Sequence, residues 1–306
     1  AVVQIPLDGI WLGAAGIRST ANGYTKICTN KKQGAKIPLL KVLESLENFF
    51  QEVFKQGLGQ SPKVLSSGKS PEVLKGEAMS EKVIEALTVR ELFRSPEHTM
   101  AWEYLKGFTY PWEALDGLKA FVVKLGETLP TEMYERREGD VWIAKSAKVY
   151  PTATILGPAI IGERTEVRPG AFIRGSVLVG ADAVVGNSTE LKNCILFDRV
   201  QVPHFNYVGD AILGYASHMG GGAITSNVKS DKTPVTVKGD GFAIATGRKK
   251  VGAMLGDFVE VGCNSVLNPG TVIGEHSNVY PLSAVRGYVP ARHIYKAKGE
   301  VVKKED

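Results

Sequence analysis

From Ile143 onward every sixth residue is apolar: Val149, Ile155, Ile161, Val167, Ile173, Val179, Val185, Leu191 and Phe197 follow it without a miss. With 43% hydrophobic residues in the chain, ten such positions in a row arise by chance about once in five thousand trials. Small side chains stand two places ahead of most of them: Ala147, Ala153, Ala159, Thr165, Ala171, Ala183 and Thr189. Glycine often follows, as at Gly162, Gly180 and Gly186. The ruler returns at Leu255, Val261, Leu267, Ile273, Val279 and Val285, with Gly256, Gly262 and Gly274 one place after. The gap from Phe197 to Leu255 is not a multiple of six, so the spacing predicts an irregular interruption between the two stretches.

A period of six fits neither the 3.6-residue helix nor a plain strand alternation, although it is a multiple of the strand period of two. It predicts a parallel β-helix, in which very short strands meet at tight corners and each coil stacks on the last. In this reading the aliphatic residue fills the interior and the small residue two before it sits at a crowded corner. The glycine after it supplies backbone freedom at the turn. A β-sandwich with short strands would not keep a strict phase over more than about fifty residues.

Residues 1–140 have a different grain and read as a mainly α-helical region. Leu39 to Phe54 carries apolar residues at helical spacing and is closed by Gly57 and Gly59. A second helical pattern runs from about Glu72 to Phe93. A third runs from Trp112 to Gly126, with Pro111 placed for its first turn. Leu58 to Gly76, rich in glycine, reads as loop. Leu12 to Arg18 holds two glycines and an arginine, and reads as an ordinary turn rather than a phosphate-binding loop. The domain layout expected is therefore a helical region with a linker helix over 1–140, a β-helix over 141–290 and a tail over 291–306.

Composition narrows the classes. The chain has 37 basic and 32 acidic residues, a net charge of +5, too even to imply nucleic acid and compatible with small anionic ligands. No stretch is apolar for the length of a membrane span. Three cysteines, Cys28, Cys194 and Cys263, lack the spacing of a disulfide framework or a zinc site. A reducing, cytoplasmic setting is expected. The five histidines, His98, His204, His218, His276 and His293, show no ligand spacing, so no metal is expected. GxSxG is absent.

Polar chemistry gathers in the interval between the two ruled stretches. There stand Val202-Pro203-His204-Phe205-Asn206-Tyr207-Val208-Gly209-Asp210 and Gly220-Gly221-Gly222-Ala223-Ile224-Thr225-Ser226-Asn227. A lysine-studded excursion, Val228 to Asp240, and Thr246 to Lys250 follow. In a solenoid, departures from the repeat map to loops, which often form the site. An imidazole such as His204 suits a general base near neutral pH, although a single histidine is as often a surface residue.

Residues from about 141 to 290 resemble the left-handed β-helix acetyltransferase domain of the bifunctional sugar-1-phosphate nucleotidylyltransferases, the family that makes UDP-N-acetylglucosamine. The stretches that carry the resemblance are VRPGA (167–171), VGNSTELKN (185–193), VPHFNYVGDAILG (202–214), GGGAITSN (220–227) and TGRKKVGAMLGD (246–257). The last, with NPGTVIG (268–274), is closest to the archaeal and thermophilic branch, as is YPWEALDGLK (110–119), which resembles its linker helix.

That resemblance implies a homotrimer with acyl-transfer sites in clefts between neighbouring β-helices. It implies His204 as the base that deprotonates a sugar amine for attack on acetyl-CoA, the acyl donor. Arg168 and Lys192 would hold a sugar phosphate, and Tyr207 and Asn227 would position the sugar and stabilise the oxyanion. Coenzyme A would lie near Cys263 and Pro281. Two positions depart from the pattern: His218 replaces the Asn ahead of the family's Gly-Ala-Gly, and Val228 follows Asn227. His218 therefore falls in the expected substrate pocket. The nucleotidylyltransferase domain of these proteins is longer than 140 residues, so pyrophosphorylase activity is not expected here. Two functional readings follow: a CoA-dependent N-acyltransferase acting on an amino-sugar phosphate or nucleotide-sugar, or a non-catalytic trimer that binds a sugar nucleotide or serves as an accessory subunit. Residual nucleotidyl transfer by the helical half ranks last.

Overall fold

The computed structural model describes residues 83–296 and 299–305, together with two short strands nearer the start, Ile17–Ser19 and Thr25–Ile27. The chain divides into two compact units, Ala1–Ala78 and Met79–Asp306. In the first, the two strands pair antiparallel with Arg18 opposite Lys26. Ile17 and Arg18, the end of the glycine-bearing run, thus open a strand. The amphipathic segment 39–54 and the loop 58–76 lie outside the described residues.

The second unit is a β-solenoid, as the six-residue ruler predicts. Three ruler steps make one coil, so each interior residue lies beside the one eighteen places on. Val149 pairs with Val167 and Val167 with Val185. Ile143 pairs with Ile161 and Ile161 with Val179, while Ile155 pairs with Ile173 and Ile173 with Leu191. Three columns of aliphatic side chains, nearly all buried, fill the interior. Each residue added to a column removes its apolar surface from water, roughly 1.5–3 kcal/mol apiece.

The structure corrects the ruler at its tenth position. Val179 pairs with Leu196, not Phe197, because one side of that coil is five residues long. Phe197 is buried on the outside, its ring 5.0 Å from that of Phe93. A second short side carries the count from Val208 to Leu213, which pairs with Leu255. With these slips included, the repeat continues through Val202, Val208, Met219 and Thr225. The interruption is therefore narrower than the sequence suggests. Only residues 226–252 leave the coil, as an excursion containing the hairpin Thr236–Gly239 and Phe242–Ala245. The histidine-bearing motif sits on continuous coils, one side of which is a residue short.

The small residues and glycines of the repeat also acquire specific roles. Buried Thr165 donates from Oγ1 to the Gly180 carbonyl (2.7 Å) and accepts from Ala183 N (3.0 Å). Thr189 and Ser265 repeat the arrangement. The glycine after the interior residue is needed for close approach, not for turning. A Cβ on Gly262 would lie 2.4 Å from the Pro281 nitrogen of the next coil. Left-handed backbone falls instead on non-glycine residues two or more places later, such as Arg164, Asp182 and Ser188.

The helices are shorter than the sequence patterns imply. Within Glu72–Phe93 the described part holds a 3-10 turn, Glu85–Leu87, and one helical turn, Val89–Leu92. The third pattern splits into a 3-10 helix, Pro111–Leu115, and an α-helix, Leu118–Gly126. Pro111 starts the former, and Glu113 Oε2 accepts from Tyr110 N at 2.9 Å. The α-helix lies on the strands Ala159–Ile161, Val177–Val179 and Glu190–Leu196, burying Leu118 and Val122. The preceding segment runs along a coil corner and is fastened by Asp257. That carboxylate is fully buried and accepts from Ser95 N (2.8 Å) and Tyr215 N (2.9 Å). Burial pushes it above the usual carboxylate range. At the far end, Val301–Lys303 adds antiparallel to His293–Tyr295 and covers the last parallel edge. No helix among the described residues is long and apolar enough to cross a membrane.

Coil stacking yields a direct contrast. Gly262→Ala is expected to lose about 1–3 kcal/mol of stability through backbone overlap. Gly221→Ala, whose Cβ would meet nothing nearer than His204 Cβ at 3.6 Å, is expected to change stability by no more than about 0.5 kcal/mol. Denaturant unfolding of the two variants measures the difference.

Candidate functional site

One corner of the solenoid carries equivalent positions on successive coils, and a ladder of backbone hydrogen bonds records the equivalence. Phe205 N donates to Asn187 O (2.9 Å), Gly222 N to His204 O (3.0 Å), Asn264 N to Gly221 O (2.9 Å) and Leu282 N to Cys263 O (2.9 Å). Asn187, His204, Gly221, Cys263 and Pro281 therefore form one column on the outer edge. At the spacing of adjacent strands, about 4.8 Å, Cys263 lies about 10 Å and Pro281 about 14 Å from the His204 position. Thus three residues singled out from the sequence, far apart in the chain, share a ridge.

His204 ends the strand Gln201–His204 and its side chain is exposed. Its imidazole has no hydrogen-bond partner among the described residues. Its backbone is held firmly: His204 N donates to Asn206 Oδ1 at 3.1 Å. Asn206 is buried and donates from Nδ2 to Gly220 O (2.9 Å) and Ala223 O (3.0 Å) of the next coil. Beside the imidazole stands Gly221, which has no side chain and whose N–H has no partner among the described residues. Neither Asn206 nor Gly221 stands out as a site residue in the sequence. The signal for Asn206 is a carboxamide between two strands of otherwise apolar inward positions.

A second group lies on the adjacent corner, three residues beyond His204. Asp210 is 2% exposed and is the acceptor for the whole group. Lys192 Nζ reaches its two oxygens at 3.2 and 3.4 Å, Asn193 Nδ2 donates at 2.8 Å and Asn227 Nδ2 at 2.5 Å. Asn227 Nδ2 also donates to Tyr207 Oη at 3.1 Å. Burial pushes the Tyr207 phenol above its ordinary pKa, and the negative charges of Asp210 and Glu190 add to that. A glycine makes the ring's position possible, since a Cβ on Gly209 would fall 2.3 Å from Tyr207 Oη.

The remaining candidates stand apart from this group. Arg168 Nε donates to Glu166 Oε2 at 2.9 Å. Its position, stacked beneath those of Gly186 and Pro203, is two coils from the His204 level. His218 lies beside Gln201, about 10 Å by strand rise from the His204 position. Its Nδ1 is 2.7 Å from Glu260 Oε2 on the next coil. The structure thus joins Lys192 and Asn227 through Asp210 and Tyr207 through Asn227, sets His204, Cys263 and Pro281 on one ridge, and pairs Arg168 and His218 with carboxylates of their own. Of the cysteines described, Cys263 is exposed and Cys194 buried, with its thiol pushed up by burial.

Comparison with known proteins gives the same region a lineage. The family model of the GMPPB C-terminal domain matches residues 155–288. A bifunctional sugar-1-phosphate nucleotidylyltransferase/acetyltransferase of Sulfurisphaera tokodaii is 29% identical over 192 residues, 61% of this chain and 47% of that one. The bifunctional protein GlmU of Methanococcus maripaludis is 33% identical over 176 residues, 57% of this chain and 43% of that one. Over its C-terminal region, this chain is a homologue of the bifunctional sugar-1-phosphate nucleotidylyltransferase/acetyltransferases. The match spans less than half the length of either relative. Among solved structures, the acetyltransferase domain of PglB from Neisseria gonorrhoeae, in complex with acetyl coenzyme A, aligns with a TM-score of 0.29 at 17% identity. That alignment covers 54% of this chain and 58% of that chain.

The charge arrangement separates two substitutions. Lys192→Met strips the ammonium from a buried carboxylate and is expected to cost about 1–3 kcal/mol. Arg168→Met removes a partner from the more open Glu166 and is expected to cost less than about 1 kcal/mol. Chemical unfolding at neutral pH checks both.

Proposed function

We propose that the β-helix transfers an acyl group from a CoA thioester to the amine of an amino-sugar phosphate or nucleotide-linked amino sugar. The observation that carries this reading is the exposed imidazole of His204 beside the N–H of Gly221, which has no partner among the described residues, within a region homologous to acetyltransferases. His204 takes a proton from the neutral sugar amine as the nitrogen attacks the thioester carbonyl. The Gly221 N–H is available to the oxygen that becomes negative. Collapse of the tetrahedral adduct forms the amide, breaks the C–S bond and releases CoA as thiol, the imidazolium returning its proton to sulfur.

The ridge beyond Gly221 supports a place for coenzyme A along Cys263 and Pro281. On the adjacent corner, Lys192 keeps N–H capacity beyond its contacts with Asp210 and suits a sugar phosphate. Arg168 would join it once released from Glu166. In this reading Asn227 serves the acceptor sugar, because both of its N–H groups are engaged by Tyr207 and Asp210. The oxyanion is left to backbone. Large apolar side chains left exposed on the same ridge, Phe205 at 64% and Leu282 at 79%, favour a homotrimer that covers them.

Purified protein supplied with acetyl-CoA and a panel of amino sugars and their 1-phosphates is expected to release thiol, and His204→Ala to lower kcat by about 10²–10⁴-fold. Silence across the panel in folded protein, with sugar-nucleotide binding intact in His204→Ala, would replace this reading with a non-catalytic binding role. Light scattering is expected to give a trimer, and Phe205→Asp with Leu282→Asp a smaller species.

A further inference from the structure

We infer that Asp210 is a positioning residue for the acceptor subsite: its buried carboxylate decides which end of the Asn227 amide faces a ligand and where the Lys192 ammonium points. The inference rests on the acyl-transfer reading above for its substrate, but its geometry is independent of that reading.

Every side chain hydrogen-bonded to Asp210 among the described residues is a donor. Lys192, Asn193 and Asn227 all place nitrogen against its two oxygens. An ionised carboxylate only accepts, so Asn227 has to turn its NH₂ inward. The second hydrogen of that NH₂ goes to Tyr207 Oη. With both hydrogens used, Asn227 presents only its carbonyl oxygen to the open side. The Tyr207 oxygen, already an acceptor, has its own hydrogen without an acceptor among the described residues, so it can donate outward. Lys192 contributes a further N–H, held in direction by the carboxylate behind it.

The subsite therefore offers one acceptor, the Asn227 carbonyl, beside two donors, Tyr207 O–H and Lys192 N–H. An N–H-bearing carbon next to anionic or hydroxyl oxygen complements that order, as in a sugar that carries an amine near a phosphate. A neutral amide at position 210 would remove the demand. Asn227 could then rotate half a turn and offer N–H where the ligand needs a carbonyl.

The backbone fixes the same residue in place. Asp210 has φ 50°, a region aspartate tolerates better than most side chains. Its carbonyl accepts from Gly252 N at 2.7 Å, and Asn227 O accepts from Val251 N at 3.1 Å. Both ends of the 226–252 excursion are thus tied to the Asp210–Asn227 pair.

The test is Asp210→Asn. In the thiol-release assay, KM for the amino-sugar acceptor is expected to rise about 10- to 100-fold, the worth of charge-assisted hydrogen bonds, with KM for acetyl-CoA within about twofold of wild type. A readout independent of turnover is the titration of Tyr207, followed by NMR of tyrosine labelled at the phenolic carbon and assigned with Tyr207→Phe. Removing the Asp210 charge is expected to lower the pH at which that signal titrates. If Asp210→Asn does not fold, Asp210→Ser takes its place. Its hydroxyl is uncharged and too short to hold all three donors, so the same acceptor-selective rise in KM and the same fall in the Tyr207 titration are expected. Acceptor KM and Tyr207 titration unchanged in the variant that folds would overturn the inference. A wild-type protein that releases no thiol would overturn the acyl-transfer reading alone, and the NMR arm would still decide the role of Asp210.

Discussion

The spacing of one coil upon the next governs the rest of this protein. Backbone hydrogen bonding holds adjacent strands about 4.8 Å apart, and that distance leaves no room for a side chain where one coil turns over another. Glycine at positions such as Gly180, Gly262 and Gly274 meets that limit, since an added Cβ would fall within 2.4–2.5 Å of the neighbouring coil. The interior columns then pack as stacks that are aliphatic except where buried Thr225 takes a place in one of them. Small hydroxyl side chains, Thr165, Thr189 and Ser265, satisfy the corner carbonyls that the turns leave unpaired.

A scaffold of this kind is rigid in its interior and permissive at its corners. Outward corner positions face no packing requirement, so they can carry imidazole, thiol, lysine or nothing at all. Stacking sets them at fixed intervals, which gives the ridge of His204, Gly221, Cys263 and Pro281 the regularity of a ruled edge. A site built on such an edge inherits precise positioning without needing flexible loops. Buried polar residues supply what the backbone does not. Asn206 locks the His204 corner to the next coil, and Asp210 gathers the donors of the neighbouring corner.

The helical layer is bound to this scaffold by the same economy of buried polar groups. Asp257 replaces a corner's missing partners with Ser95 and Tyr215 amides, and His98 stacks on Tyr215 with ring centroids 3.8 Å apart. The helix Leu118–Gly126 ends against Trp142, where only a glycine fits beneath the indole. These attachments involve residues without periodicity, which is why helical patterning overstated the length of the helices. Their lengths follow the surface available on the coils rather than intrinsic propensity.

The interior was legible in the sequence because each aliphatic residue there must recur with the coil, and a period of six announces itself in one dimension. The two five-residue sides were not legible. Leu196 and Phe197 are both apolar, so a slip of one leaves the pattern intact, and only strand pairing shows that Leu196 points inward. His204, Tyr207, Lys192 and Asn227 could be picked out by their motifs, whereas Asp210, Asn206 and Gly221 could not be given their places. Lys192 and Asn227 lie 18 and 17 residues from Asp210 along the chain, nearly one coil in each direction. Sequence determined that such residues exist and that the chain would wind. Stacking alone decided that they share one carboxylate, because contact between coils depends on the count of residues per turn and not on neighbours in the chain.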